Sequence, residues 1–89
     1  MFKGIEHFGL MAKDPEKLAQ WYEKVLGFRT VFKIGDPPQV FIAGKEKGMI
    51  EIIPWEEGVS EEKDNKAHIA IEVDDFDAAV EKLREAGVT

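Results

Sequence analysis

The stretch His7-Phe8-Gly9-Leu10 returns as His68-Ile69-Ala70-Ile71, and this repeat decides how the chain is organised. Seven residues after each histidine comes an aspartate suited to begin a helix, Asp14 in the first copy and Asp75 in the second. The offset is 61 residues at both the histidines and the aspartates. A fixed internal period indicates two copies of one supersecondary unit. The only two histidines of the chain therefore occupy equivalent places.

The first copy, residues 1–54, predicts the order β-α-β-β-β. Asp14 and Pro15 favour a helix start, and Gly27 suits its end. Between them, apolar residues recur at the spacing of one helix face, which predicts that Trp21 and Tyr22 are core residues. Strands are predicted at 5–11, 28–34, 39–43 and 49–54, with a Gly-Asp-Pro-Pro turn at 35–38 and a hairpin turn at 44–48.

The second copy, residues 67–89, is predicted to be incomplete. Residues 55–66 are polar and acidic without an apolar period, which is typical of an exposed linker. Residues 67–73 predict a strand, and a helix capped by Asp75 is expected to end at Gly87. By the length of the first copy, about thirty further residues would complete the second. The predicted fold is one α+β domain over 1–89, a β-α-β-β-β unit followed by the β-α start of a second copy.

An incomplete second copy has consequences for association. A sheet that lacks three strands should have an unpaired edge and an open apolar face, and such edges invite pairing or exchange of elements with another chain. We expect a homodimer formed through this edge or by exchange. The sequence is equally compatible with a fragment or truncated chain, and with an inactive fragment whose exposed edge drives an artificial dimer.

Charge and composition narrow the classes of partner. The net charge of −6 argues against nucleic acid and against an anionic membrane surface. The absence of cysteine excludes disulfides and thiolate metal sites. No long apolar run opens the chain, so a signal peptide or a membrane span is not expected and a cytoplasmic location is the default.

Three residues are candidates for chemistry, namely His7, Glu51 and His68. Equivalent strands of two repeats lie close together, so both imidazoles are expected to face one cleft. Glu51 interrupts an apolar strand, where a carboxylate is costly to bury unless it is paired or binds a metal. Two imidazoles and a carboxylate suit a divalent ion such as zinc, nickel, cobalt, manganese or iron. The alternatives are ordinary hydrogen-bonded surface histidines and a solvent-facing Glu51; Glu6 and Glu72 are read as solvated or salt-bridged.

Four stretches carry a resemblance to a known family. The stretch Ile5-Glu6-His7-Phe8-Gly9-Leu10 looks like the first strand of the vicinal oxygen chelate superfamily, and Trp21-Tyr22-Glu23-Lys24-Val25-Leu26-Gly27-Phe28 is similar to its "FY-x-x-x-LGF" helix end. The strands around Glu51 and His68 resemble its fourth and fifth strands. The superfamily contains glyoxalase I, bleomycin and fosfomycin resistance proteins, extradiol dioxygenases and methylmalonyl-CoA epimerase. The match covers the whole chain but only about two-thirds of a family domain, ending before the last three strands.

The resemblance implies a ligand set and a reaction. Ligands in the family come from the first, fourth, fifth and eighth strands; His7, Glu51 and His68 fit the first three, and the fourth would lie at about position 112, beyond Thr89. A glutamate on the fourth strand favours the glyoxalase I and epimerase pattern, a lyase or isomerase that moves a proton on a carbon next to a carbonyl. There the metal stabilises the charge developing on two substrate oxygens, with Glu51 as a ligand and possible base. The alternative is a metal-free protein of bleomycin-resistance type that binds and sequesters a small molecule.

Overall fold

The computed structural model describes residues 1–46, 48–56 and 68–88. The elements are β1 (His7–Ala12), α1 (Pro15–Leu26), β2 (Arg29–Ile34), β3 (Gln39–Ala43), β4 (Met49–Pro54) and α2 (Phe76–Glu85). The chain divides into an N-terminal unit, Met1–Val59, and a C-terminal unit, Ser60–Thr89. The predicted α+β class and the β-α-β-β-β order of the first copy are confirmed. Most of the predicted linker, from residue 57 on, lies outside the described residues.

Helix α1 begins and ends where the sequence predicts. The Asp14 carboxylate accepts a hydrogen bond from the Lys17 backbone N–H at 3.1 Å, which satisfies one of the free donors of the first turn. Pro15 follows at the first helical position, where no backbone N–H is needed. At the other end, Gly27 adopts a left-handed conformation with φ of 73°, which glycine takes without steric cost, and its N–H donates to the carbonyl of Glu23.

The sheet of the N-terminal unit has four strands in the order β1-β4-β3-β2. Strand β1 runs parallel to β4, whereas the β4–β3 and β3–β2 pairs are antiparallel. The predicted bounds of β3 and β4 are confirmed, and the turn predicted at 35–38 separates β2 from β3. Strand β1 begins at His7 rather than Ile5, because the ladder with β4 starts at the pair His7 and Met49. The Ile5 side chain is exposed.

Two contacts identify the face of the sheet that α1 covers. Thr30 donates to Glu23 of α1 at 2.5 Å, and Lys33 forms a 2.9 Å ion pair with Glu16 of α1. Side chains alternate between the faces of a strand, and paired residues share a face. The registers therefore assign Val40, Ile42, Ile50 and Ile52 to this helix face.

The core lies between this face and α1. Val40, Ile42 and Ile52 have no exposed surface, and Ala19 and Val25 of α1 are buried with them. Burial of each large aliphatic side chain stabilises the fold by about 1.5–3 kcal/mol.

The opposite face of the sheet carries the polar and aromatic side chains of interest. By the same registers it presents His7 on β1, Glu51 on β4 and Phe41 on β3. A β-bulge in β2 between Thr30 and Phe32 adds one residue, Val31, and so keeps Phe32 opposite Phe41 while Lys33 remains on the helix face. We call this surface the open face.

One prediction about the core is wrong. Trp21 was expected to be buried by its place in the apolar period, yet it is 40% exposed. Its side chain lines a surface groove with Ala12, Leu18 and the two lysines Lys13 and Lys17. The indole of Trp21 lies at the edge of the apolar face of α1. Tyr22 next to it is half-buried and packs against Phe28, with 5.4 Å between ring centroids.

The strand predicted at 67–73 is absent from the part of it that the structure describes. Residues 68–73 have no regular secondary structure, and Ala67 lies outside the described residues. In the first copy the equivalent strand, β1, exists through its ladder with β4. A strand is defined by its ladder hydrogen bonds, so an apolar pattern alone does not fix one.

The C-terminal unit contains helix α2. The Asp75 carboxylate accepts from the Ala78 N–H at 3.0 Å, so the predicted N-cap is confirmed, and the helix ends with Ala86 as its cap and Gly87 at φ 82°. None of the α2 residues, all of which are described, is buried. No helix in the described parts of the chain is long and apolar enough to cross a lipid bilayer.

Candidate functional site

The structure brings His7 and Glu51 together on the open face. Nε2 of His7 lies 3.4 Å from Oε1 of Glu51. The parallel register places Gly9 beside Glu51, so His7 and Glu51 are diagonal neighbours on one face. A Cβ atom at position 9 would lie 3.3 Å from Cδ1 of Ile53 and 3.9 Å from Oε1 of Glu51. A side chain at position 9 would therefore crowd Ile53, whereas the Glu51 carboxylate lies at ordinary contact distance.

The imidazole of His7 is held from three sides. Its Nδ1 lies 3.2 Å from Oε1 of Glu6 in a hydrogen bond, and its Nε2 faces Glu51. The ring packs edge-on against Phe41, with 5.4 Å between centroids and 75° between planes. The side chain of His7 is 37% exposed and that of Glu51 is 17% exposed. The pair is therefore partly withdrawn from water yet accessible to a ligand.

An aromatic row continues from His7 across the open face. Phe32 stacks on Phe41 with 4.2 Å between centroids and 17° between planes. Phe41 is buried although it lies on the face away from α1, because its neighbours Phe32 and His7 cover it. Phe32 itself is 45% exposed. The row gives the surroundings of His7 and Glu51 an apolar character that strengthens electrostatic interactions there.

The separation of the two side chains fits a metal ion. Two ligand atoms bound about 2.1 Å from one tetrahedral ion are about 3.4 Å apart, which is the observed separation of His7 Nε2 and Glu51 Oε1. Imidazole nitrogen and carboxylate oxygen are both common ligands of divalent transition metals. Within residues 1–46, 48–56 and 68–88, however, no group of three histidine, cysteine or acidic side chains is arranged to hold an ion. The described residues thus provide two of the ligands that a complete site requires.

The third predicted ligand, His68, belongs to the C-terminal unit. It is an exposed residue at the start of the stretch 68–73, which has no regular secondary structure. Its assignment as a ligand alongside His7 and Glu51 stays a prediction.

Comparison with protein families identifies the chain. The model of the Glyoxalase/Bleomycin resistance protein/Dioxygenase superfamily matches residues 4–89, nearly the whole sequence. The chain belongs to this superfamily. The resemblance seen in the sequence is therefore confirmed, while the superfamily itself spans lyases, oxygenases and binding proteins. No curated protein sequence matches the chain.

Solved structures share the glyoxalase-like fold. TnmS3, an antibiotic-binding protein from Streptomyces sp. CB03234, superposes with a TM-score of 0.81 at 20% identity, covering 99% of this chain and 74% of TnmS3. The oxidase ChaP-H2 gives 0.70 at 22% identity, covering 98% and 65%. The trypanothione-dependent glyoxalase I of Leishmania major gives 0.68 at 21% identity, covering 97% and 68%. The chain thus spans about two-thirds to three-quarters of these proteins, and identities this low establish the fold alone.

Three residues of the site were not singled out from the sequence. Glu6 was predicted to be solvated or salt-bridged. It is exposed, and its carboxylate is paired with the imidazole of His7. Phe41 lies in an apolar run that gives no sign of which face it occupies. Phe32 reaches the open face through the bulge at Val31, which changes the alternation of β2. For Glu6, its position next to His7 in the sequence was the signal that could have indicated a contact between the two side chains.

Proposed function

We propose that this superfamily member acts as a divalent-metal-dependent lyase or isomerase that moves a proton on a carbon next to a carbonyl. In this proposal His7, Glu51 and His68 are metal ligands and Glu51 also serves as the base. The observation that carries the proposal is the 3.4 Å separation between His7 Nε2 and Glu51 Oε1 on the open face. A fourth ligand, from a further strand, a partner chain or water, would complete the ion's surroundings.

The chemistry divides between the metal and the chain. A bound divalent ion would supply positive charge for the substrate oxygens that become negative as the proton leaves. In this proposal Glu51 takes that proton and returns it to the substrate; the low exposure of its carboxylate on the open face supports this role. His7 lies beside this carboxylate on the neighbouring strand. The apolar row formed by Phe41 and Phe32 excludes water from one side.

Metal titration tests the proposal most directly. The chain, purified without chelator or affinity nickel, is titrated with Zn²⁺ by calorimetry and with Co²⁺ by visible absorption, and native mass spectrometry reports metal and subunit count together. We expect about one metal per chain. His7→Ala and Glu51→Gln should each weaken binding by at least about tenfold, since each removes a direct ligand.

The matched control is Glu85→Gln, which removes the same charge from the exposed last turn of α2. It should bind metal as the unchanged protein does. A His7→Ala variant that binds Zn²⁺ with unchanged affinity would contradict the proposed site.

A second candidate function is metal-free binding of a planar small molecule, as in bleomycin-resistance proteins. The observation that favours it is the stacked pair of Phe32 and Phe41, with Phe32 exposed on the open face. A ligand ring stacked on Phe32 would gain about 0.5–1.5 kcal/mol beyond its area burial. Fluorescence titration with bleomycin distinguishes the two functions. Binding that is lost in Phe32→Ala but retained in His7→Ala, without metal, would favour this candidate.

A further inference from the structure

Glu6 engages the nitrogen of His7 that is turned away from Glu51. Oε1 of Glu6 lies 3.2 Å from Nδ1 of His7 and satisfies hydrogen-bond geometry. The contact between His7 Nε2 and Glu51 is longer, at 3.4 Å, which is beyond the usual range for an N–H···O bond. The ring proton of a neutral His7 therefore has its better acceptor at Nδ1.

The backbone around Glu6 holds this arrangement in place. The carbonyl of Glu6 accepts a hydrogen bond from the N–H of Met49 at 3.0 Å, which anchors Glu6 to β4 immediately before β1 begins. The edge-on packing of His7 against Phe41 fixes the plane of the imidazole. The two contacts fix the backbone of Glu6 and the plane of the His7 ring, and the exposed carboxylate of Glu6 lies at Nδ1.

A proton on Nδ1 has a consequence on the other side of the ring. Nε2 then carries a lone pair, and this lone pair faces the carboxylate oxygen of Glu51 at 3.4 Å. Two acceptors that face each other repel unless a cation or a hydrogen-bond donor lies between them. The pair is thereby left ready to bind a positive ion rather than to close on itself through a hydrogen bond.

We propose that Glu6 is a positioning residue that fixes His7 in the Nδ1–H tautomer and so keeps Nε2 free to bind a metal. Partners of this kind, which accept the second N–H of a ligating histidine, set its tautomer and raise its basicity as a ligand. The consequence for metal affinity rests on the proposed function. The tautomer of His7 does not, because it is a property of the metal-free chain.

The test is a long-range ¹H–¹⁵N correlation spectrum of the metal-free, ¹⁵N-labelled chain at about pH 8.5, where free imidazole is neutral. The spectrum distinguishes the protonated ring nitrogen from the bare one, and His68→Asn assigns the remaining signals to His7. We expect His7 to be mainly the Nδ1–H form. Glu6→Ala should move His7 mainly to the Nε2–H form, which free histidine prefers.

Two further variants separate positioning from a general effect of charge. Glu6→Gln keeps an acceptor oxygen and should retain the Nδ1–H form, whereas Glu85→Gln removes a charge elsewhere and should leave His7 unchanged. Glu6→Ala should also weaken Zn²⁺ binding by about tenfold, the lower end of the range for such partners, with Glu6→Gln restoring most of it.

The outcomes for the two proposals are distinguishable. If His7 keeps the Nδ1–H form in Glu6→Ala, the positioning role is overturned, even when the unchanged chain binds metal. If the tautomer changes as expected while the unchanged chain binds no Zn²⁺ or Co²⁺, Glu6 positions His7 and the proposed metal-dependent function is overturned instead.

Discussion

Helices α1 and α2 begin with the same local arrangement but differ in how they pack. In both, an aspartate in extended conformation accepts a hydrogen bond from the backbone N–H three residues later, at 3.1 Å in α1 and 3.0 Å in α2. In both, a glycine with positive φ follows the last turn. Yet α1 buries Pro15, Ala19 and Val25, whereas α2 buries no residue.

The difference between α1 and α2 shows that the capping of a helix is local, whereas its burial depends on neighbouring elements. The caps are local interactions, so the repeat reproduces them in both copies. Burial depends on a sheet, and β3 and β4 provide the fully buried side chains against which α1 packs. Helices of 12 and 10 residues are marginal in isolation. We therefore expect the stability of the chain to reside mainly in the N-terminal unit.

The largest effect is expected when the same residue type is truncated in each unit. Ile42→Ala removes a side chain with no exposed surface and should lower the free energy of unfolding by about 2–5 kcal/mol. Ile71→Ala removes one that is 43% exposed in the C-terminal unit and should cost less than about 1 kcal/mol. Urea denaturation followed by tryptophan fluorescence measures the first change, because Trp21 and Trp55 both lie in the N-terminal unit.

Far-ultraviolet circular dichroism recorded in the same titration covers both units. Equal losses of stability for Ile42→Ala and Ile71→Ala would contradict the difference in packing between the units. They would indicate that the C-terminal unit has a core of its own, comparable to that of the sheet.

A smaller effect should follow when each N-cap is removed. Asp14→Ala and Asp75→Ala each leave a first-turn N–H without its acceptor, at a cost of about 1 kcal/mol. For Asp14 this cost should appear in the unfolding transition of the N-terminal unit, because α1 packs on the sheet. For Asp75 it should appear as a loss of helical circular dichroism without a shift of the tryptophan transition.

The conservative variants Asp14→Asn and Asp75→Asn keep a capping oxygen and serve as controls. They should restore most of each loss. If Asp75→Ala moved the tryptophan transition as far as Asp14→Ala does, the two helices would be equally coupled to the sheet, and the comparison would fail.

The elements predicted correctly are those set by local sequence. Both N-caps, the left-handed Gly27 and the bounds of β3 and β4 follow from capping residues, apolar periods and turn residues. The repeat singled out His7, and an apolar strand interrupted by a carboxylate singled out Glu51. The two side chains lie 3.4 Å apart, while their role as metal ligands stays a prediction. The caps, the left-handed Gly27 and the strand bounds require little knowledge of what lies far away in the chain.

The features that sequence reasoning missed depend on distant partners. Residues 68–73 have the apolar pattern of a strand, yet they have no regular secondary structure, because a strand depends on its ladder to a neighbour. The bulge at Val31 depends on the ladder with β3, and it alone brings Phe32 over Phe41. The role of Glu6 depends on the orientation of the His7 ring, which packing on Phe41 determines. None of these contacts leaves a periodic signal in the sequence.

The smallest effect concerns Tyr22, the only tyrosine of the chain, which reports on the N-terminal unit alone. Burial raises the pKa of the Tyr22 hydroxyl above its ordinary value of 10.0. The unfolded chain therefore loses this proton at lower pH than the folded chain. The stability that depends on the protonated Tyr22 hydroxyl is fully present below about pH 10 and is lost as the pH rises through the folded-state pKa.

Urea denaturation measures this loss. Between about pH 9 and pH 11, the free energy of unfolding should fall more steeply for the unchanged protein than for Tyr22→Phe. An ultraviolet titration that gave Tyr22 the pKa of free tyrosine would show that α1 leaves this ring in water, and would weaken the contrast between the two helices.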